Sequence, residues 1–234
     1  MARVVLPGFP HHITQRGIRR FNVFLDEADH RRYRELLELY AGRFELKIAA
    51  YCLVTNHIHV VAVPERKDSI AKTFKYCHGV YATEFNKKYR KTGHLWQARP
   101  YSCVLDELHA WAALRYVERN PLRAGMVARA EDYAWSSAKA HCGLATDVLL
   151  DSPWPEPQHL KNWSSSLAAA ANVECEQRIR ERTFTGRPCG DDGFVRNVEA
   201  SVGRSLTRGK PGPKVRTSTP EAQGMLWTTD EIRR

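Results

Sequence analysis

Two histidines one residue apart, His57 and His59, lie in the run Leu53-Val-Thr-Asn-His-Ile-His-Val-Val-Ala-Val63. Side chains alternate faces along a strand, so the two imidazoles project side by side while Ile58 and Val60 point into the opposite layer. Two neutral imidazoles so placed can share one divalent ion. The triplet alone is a weak signal, since ten histidines in 234 residues give about 0.4 such triplets by chance. Its apolar surroundings strengthen it, because polar rings in such a strand need hydrogen bonds or a metal. Satisfaction by backbone or water is the other reading, and the sequence leaves both open.

The second chemical group is Tyr116, in the segment Arg115-Tyr-Val-Glu-Arg-Asn-Pro-Leu-Arg-Ala-Gly125. Tyr116 and Asn120 are four residues apart and share a helix face. A phenol of pKa about 10 is a poor nucleophile, but a cation on a phosphate neutralises charge and helps the leaving oxygen depart. Asn120 offers a neutral amide oxygen to the same ion. The alternative is an interfacial tyrosine before a helix-ending Asn-Pro.

The elements that must position these groups follow from periodicity. His11 to Gln15 reads as a short extended segment, broken by the basic loop Arg16-Gly17-Ile18-Arg19-Arg20. Tyr33, Leu36, Leu37, Tyr40 and Phe44 recur at helical spacing, with Asp26 placed to cap the helix. Leu46 to Val63, interrupted only by Thr55-Asn56, predicts a hairpin of two core strands. Ile70, Phe74, Cys77, Tyr81 and Phe85 predict a helix over 68–89 that carries Lys72, Lys75, Lys87 and Lys88 on its other faces. An extended stretch from Trp96 to Leu105 precedes a helix over 106–120, which Pro121 stops. The order strand, helix, strand, strand, helix, strand, helix predicts an α+β fold, a ferredoxin-like antiparallel sheet covered by helices.

Beyond residue 143 the patterning weakens. Pro153, Pro155 and Pro157 form an extended stretch, Ser164 to Ala171 is small-residue helix or linker, and Lys210-Pro-Gly-Pro-Lys214 is rich in breakers. The expected division is a catalytic domain over 1–142, a linker with an ancillary helical segment over 143–182, and a partly disordered basic C-terminal arm over 183–234.

The charge of +10 and a pI of about 9.5 favour polyanionic partners, nucleic acid first, because each neutralised phosphate releases condensed counterions. The six cysteines include no C-x-x-C pair, so neither a zinc knuckle nor a redox pair is visible, and free thiols are expected. No apolar run reaches the roughly 18 residues of a membrane helix, and Met1 to Pro10 is unlike a signal peptide. A cytoplasmic, nucleoid-associated protein with no membrane partner is expected.

Taken together, Thr55-Asn-His-Ile-His-Val-Val61 and Tyr116-Val-Glu-Arg-Asn-Pro-Leu-Arg-Ala-Gly125 resemble the two blocks of the single-tyrosine HUH transposases (IS200-like). The Asn-Pro-x-Arg-Ala-Gly run is similar to the branch associated with repetitive extragenic palindromes (REP). So are the opening Pro7-Gly-Phe-Pro-His-His-Ile-Thr-Gln-Arg-Gly17, the Gly186-Arg-Pro188 stretch with Gly190, Asp191 and Phe194, and the basic Gly209-Lys-Pro-Gly-Pro-Lys214. The resemblance covers residues 3–140 strongly and 183–216 loosely. It implies the HUH endonuclease fold and a Tyr116 nucleophile that forms a 5′-phosphotyrosine link on single-stranded hairpin DNA. It also implies Mg²⁺ or Mn²⁺ held by His57, His59 and Asn120, where insertion-sequence members carry a glutamine in place of the asparagine. Zinc also suits an imidazole pair. Arg16, Arg19, Arg20, Lys72, Lys75, Trp96 and Arg99 are candidates for DNA contact by position, and Arg204, Arg208, Lys210 and Lys214 for phosphate clamping. Both monomer and homodimer are compatible with this reading, and a domesticated hairpin-binding protein without catalysis is the competing function.

Overall fold

The computed structural model describes residues 4–152 and 154–206. Strands β1 (His11–Arg16), β2 (Leu46–Val54), β3 (His57–Pro64) and β4 (Tyr101–Val104) form one antiparallel sheet in the order β2-β3-β1-β4. This is the expected ferredoxin-like α+β arrangement. Helix α1 (Glu27–Arg43) is capped by Asp26, whose side chain accepts from the Asp29 amide at 2.9 Å. Helix α2 is Ser69–Tyr89 and α3 is Glu107–Glu118, capped by Asp106.

The two faces of the sheet have different cover. Ile13, Ile48, Tyr51, Leu53, Ile58, Val60 and Ala62 pack beneath α1 and α2 with Tyr33, Phe74 and Tyr81. Ala50, Cys52, Val54, Val61 and Cys103 pack with Ala110, Ala113, Leu114 and Tyr116 of α3 on the other face. Ile58 and Val60 are thus buried opposite the histidine pair, as strand alternation requires.

Three expectations are modified. The extended stretch Trp96 to Leu105 is divided: Trp96 pairs with Gly17, and the ladder resumes only at Tyr101. Pro100, lacking an N–H, falls in the gap. Gly17 has to be glycine there, since a Cβ would lie 2.3 Å from the Phe21 carbonyl oxygen. Pro121 does not end all helical backbone: α3 stops at Glu118 and a short helix, α4 (Asn120–Arg123), takes the proline in its first turn, where a missing N–H costs nothing.

The largest difference lies after residue 142. Beyond α5 (Ala138–His141), the segment expected to be linker with an ancillary helix holds α6 (Trp163–Ala168) and α7 (Val173–Thr185), and Trp163, Leu167 and Ile179 are buried in the same core as Tyr116. Glu118, fully buried, accepts from Trp163 Nε1 and His141 Nδ1, each at 2.6 Å, and from Ser137 Oγ, so one carboxylate ties α3, α5 and α6 together. After α7 the chain runs beside β4: Cys189 N donates to Val104 O at 2.9 Å and Asp106 N to Cys189 O at 3.0 Å. Helix α8 (Asp192–Val202) follows. The described cysteines are all free thiols, and no described helix is long and apolar enough to cross a membrane.

Candidate functional site

The β1–β3 register sets Thr14 opposite His59 and Arg16 opposite His57. His12, Thr14, Arg16, His57 and His59 therefore share the face that α3 and α7 cover. Tyr116, only 3% exposed, presents its ring edge-on to His59 at 5.4 Å and to His12 at 5.7 Å between centroids. The Arg123 guanidinium lies over the Tyr116 ring, 4.8 Å from its centroid. A cavity of about 300 Å³ opens between these elements, lined by His57, His59, Tyr116, Arg16, Arg123 and Arg180 among others.

Burial, reinforced by Arg16 and Arg123, pushes the His57 pKa down to about 4, and burial with neighbouring rings and cations holds His59 well below its ordinary range. Burial alone takes His12 to about 3. All three rings are therefore neutral near pH 7, the state in which imidazole binds metals. Each member of the pair has its Nδ1 engaged: His57 with Asn56 Oδ1 at 2.6 Å, His59 with His12 Nε2 at 3.0 Å. Neither Nε2 has a hydrogen-bond partner among the described residues, and neither is sealed from solvent. The pair thus fits a divalent ion as two nitrogen donors facing a cavity. No group of three or more His, Cys, Asp or Glu side chains converges as a metal cluster among the described residues.

Asn120 has its amide bonded at the junction of α3 and α4. Its Nδ2 donates to the carbonyls of Tyr116 (2.9 Å) and Val117 (3.3 Å), and its Oδ1 accepts from Arg123 Nη2 at 2.7 Å. The amide fastens the α3–α4 junction, and its oxygen, with two lone pairs, accepts one bond there. What it positions is Arg123, which also bonds Glu176 at 3.1 Å.

Of the expected DNA contacts, Arg16 lines the cavity. Arg99 borders an adjoining groove with Tyr101 and Phe184, and a hollow against α2 with Lys75 and Trp96. Arg19 and Arg20 are exposed in the turn after β1, both at positive φ (53° and 64°). Lys72 is held by Asp68 at 2.6 Å, and Arg204 is half-buried just after α8. Arg208, Lys210 and Lys214 lie outside the described residues.

His12, Arg123, Arg180 and Thr183 belong to the site but were not singled out from sequence. For His12 and Arg123 a signal existed: strand alternation puts His12 on the face of Thr14 and Arg16, and Arg123 stands in the Asn-Pro-x-Arg run. Arg180 and Thr183 gave none.

Residues 8–120, which include His57, His59 and Tyr116, match the family model described as "Transposase IS200 like". Among solved structures, one of a REP-associated tyrosine transposase bound to a REP hairpin matches with a TM-score of 0.52 at 18% identity, covering 63% of this chain and 92% of that one. At that identity the likeness is one of fold. None of the curated proteins compared matches the chain. The paired strand histidines, the helix tyrosine and the β2-β3-β1-β4 sheet all lie within the stretch that matches the IS200-like transposase model.

Proposed function

We propose that this domain cuts and rejoins single-stranded DNA at a hairpin, with Tyr116 as nucleophile. The observation that carries the reading is the convergence of Tyr116, His57 and His59 on one cavity with Arg16, Arg123 and Arg180 on its walls. In the cleavage step Tyr116 Oη bonds to phosphorus and the bond from phosphorus to the 3′-oxygen breaks. The 5′-phosphate stays on Tyr116. The phenol gives up its proton, the departing oxygen takes one up, and a 3′-hydroxyl results. Attack by that hydroxyl reverses the step and rejoins the strand. Bond energy is conserved throughout, so no ATP is required.

The arginines neutralise phosphate charge, and Arg123, over the Tyr116 ring, also favours a developing phenolate. His57 and His59 would hold Mg²⁺ or Mn²⁺, which when bound supplies Lewis acidity and a template for the phosphate. A metal with two protein donors suits ions that take their remaining ligands from phosphate and water. The hairpin substrate is carried over from the DNA-bound structural neighbour.

The test is to incubate the protein with labelled single-stranded hairpin oligonucleotides and Mg²⁺ or Mn²⁺, and to look for a protein–DNA adduct stable in SDS. Wild type is expected to form it and Tyr116→Phe to form none. An adduct with Tyr116→Phe would remove the nucleophile assignment. Hairpin binding without any wild-type adduct would replace the reading with that of a DNA-binding protein.

A further inference from the structure

The hydrogen bonds behind His59 have a defined direction. Thr183 Oγ1 lies 2.7 Å from the Ile179 carbonyl, to which it donates, and this uses its one proton. The same oxygen is 2.7 Å from His12 Nδ1 and there can only accept, so His12 carries its proton on Nδ1. Cys103 Sγ, 3.1 Å from that oxygen, is left as a weak donor to it. A neutral imidazole has a single N–H, so His12 Nε2 is an acceptor. Its partner, 3.0 Å away, is His59 Nδ1, which must be the donor. The proton of neutral His59 then sits on Nδ1, and the lone pair on Nε2.

From this chain of bonds we infer that Thr183 and His12 are positioning residues that lock His59 into the tautomer able to bind a metal. The inference rests on the metal role proposed for the pair. His57 is set the same way by shorter means. Asn56 Nδ2 donates to the Arg20 carbonyl at 3.2 Å, which turns Asn56 Oδ1 toward His57 Nδ1 at 2.6 Å as an acceptor. Both rings therefore offer Nε2. The two arrangements differ in where they come from: Asn56 adjoins its histidine, whereas Thr183 belongs to α7, beyond the stretch that matches the transposase family. Without the Thr183 hydroxyl, His12 is free to carry its proton on Nε2 and donate to His59 Nδ1. That moves the His59 proton to Nε2 and blocks the lone pair.

The experiment uses the full chain without metal and then with Mn²⁺. Nitrogen-15 correlation spectra of the histidine rings report which nitrogen of His59 is protonated. Wild type is expected to show Nδ1–H, and Thr183→Val a shift toward Nε2–H. In calorimetric titration Thr183→Val and His12→Phe are expected to lose about 10-fold or more in Mn²⁺ affinity, the range for partners that orient a metal-bound histidine. Thr183→Ser, which keeps the hydroxyl, should retain wild-type affinity. Nε2–H on His59 in wild type overturns the inference, and that measurement needs no variant to fold. Equal Mn²⁺ affinity in wild type and a folded Thr183→Val overturns it too. Absence of Mn²⁺ binding in wild type with His59 as Nδ1–H would instead strike the metal reading and leave the hydrogen-bond chain standing.

Discussion

Each face of the sheet buries histidine, and the surroundings of the rings differ. Beneath α1 and α2, His78 stacks on Trp96 at 4.3 Å between centroids and bonds Tyr33 Oη at 2.8 Å. Beneath α3 and α7, His12 stacks on His59 at 5.2 Å and bonds it at 3.0 Å. Burial pushes His78 and His12 to the same pKa, about 3. Burial and lost basicity therefore do not separate scaffold from site. What separates them is an open Nε2 on each of two adjacent rings, facing a cavity that also holds a phenol and guanidinium groups. His78 instead has its Nε2 taken by the Tyr33 hydroxyl.

The distinction can be broken by substitution, starting with the largest effect. His59→Ala should abolish the metal-dependent adduct while sparing most hairpin binding. His57→Ala should do the same, and parallel loss of binding in both would make the pair structural. Glu118→Ala should cost about 3 kcal/mol in urea unfolding, because the buried Trp163 and His141 ring nitrogens lose their acceptor, at about 1–3 kcal/mol for each unsatisfied group. Although Glu118 is two residues from Tyr116, adduct yield per folded molecule should persist. His78→Leu should cost about 1–3 kcal/mol for the buried Tyr33 hydroxyl left unbonded, again with adduct formation intact. If His78→Leu eliminates the adduct as His59→Ala does, the two faces are not functionally distinct. The smallest effect is electrostatic. Arg16→Ala should reduce the slope of log affinity against log salt by about 0.7, one single-strand phosphate contact, and Lys72→Ala, already paired with Asp68, by less.

Much of this was legible because the relevant signals are local. The alternation around His57 and His59 assigns their face, and apolar residues at helical spacing outline α1, α2 and α3. The four-stranded sheet follows from the order of those elements. The rest depends on contacts between distant segments. Helix α7 buries few side chains, Ile179 and Thr183 among them, along a strongly charged sequence, so no apolar stripe announces it. Trp163 stands in a run of serines and alanines, and its burial depends on Glu118, 45 residues away. The partner of Asn120 is hidden for the same reason: spacing puts it on the face of Tyr116, but nothing in the spacing reveals that Arg123 bonds its oxygen.

The bond between His12 and Thr183 spans 171 residues of sequence. Loop closure over that distance is slow and follows the local pairings, so β2, β3 and their turn can form well before the histidine pair is finished. During synthesis the tyrosine and both histidines emerge ahead of α7. A nascent chain that has reached α5 thus carries Tyr116 and both histidines without the Thr183 hydroxyl, and the hydrogen-bond chain behind His59 closes only when α7 arrives.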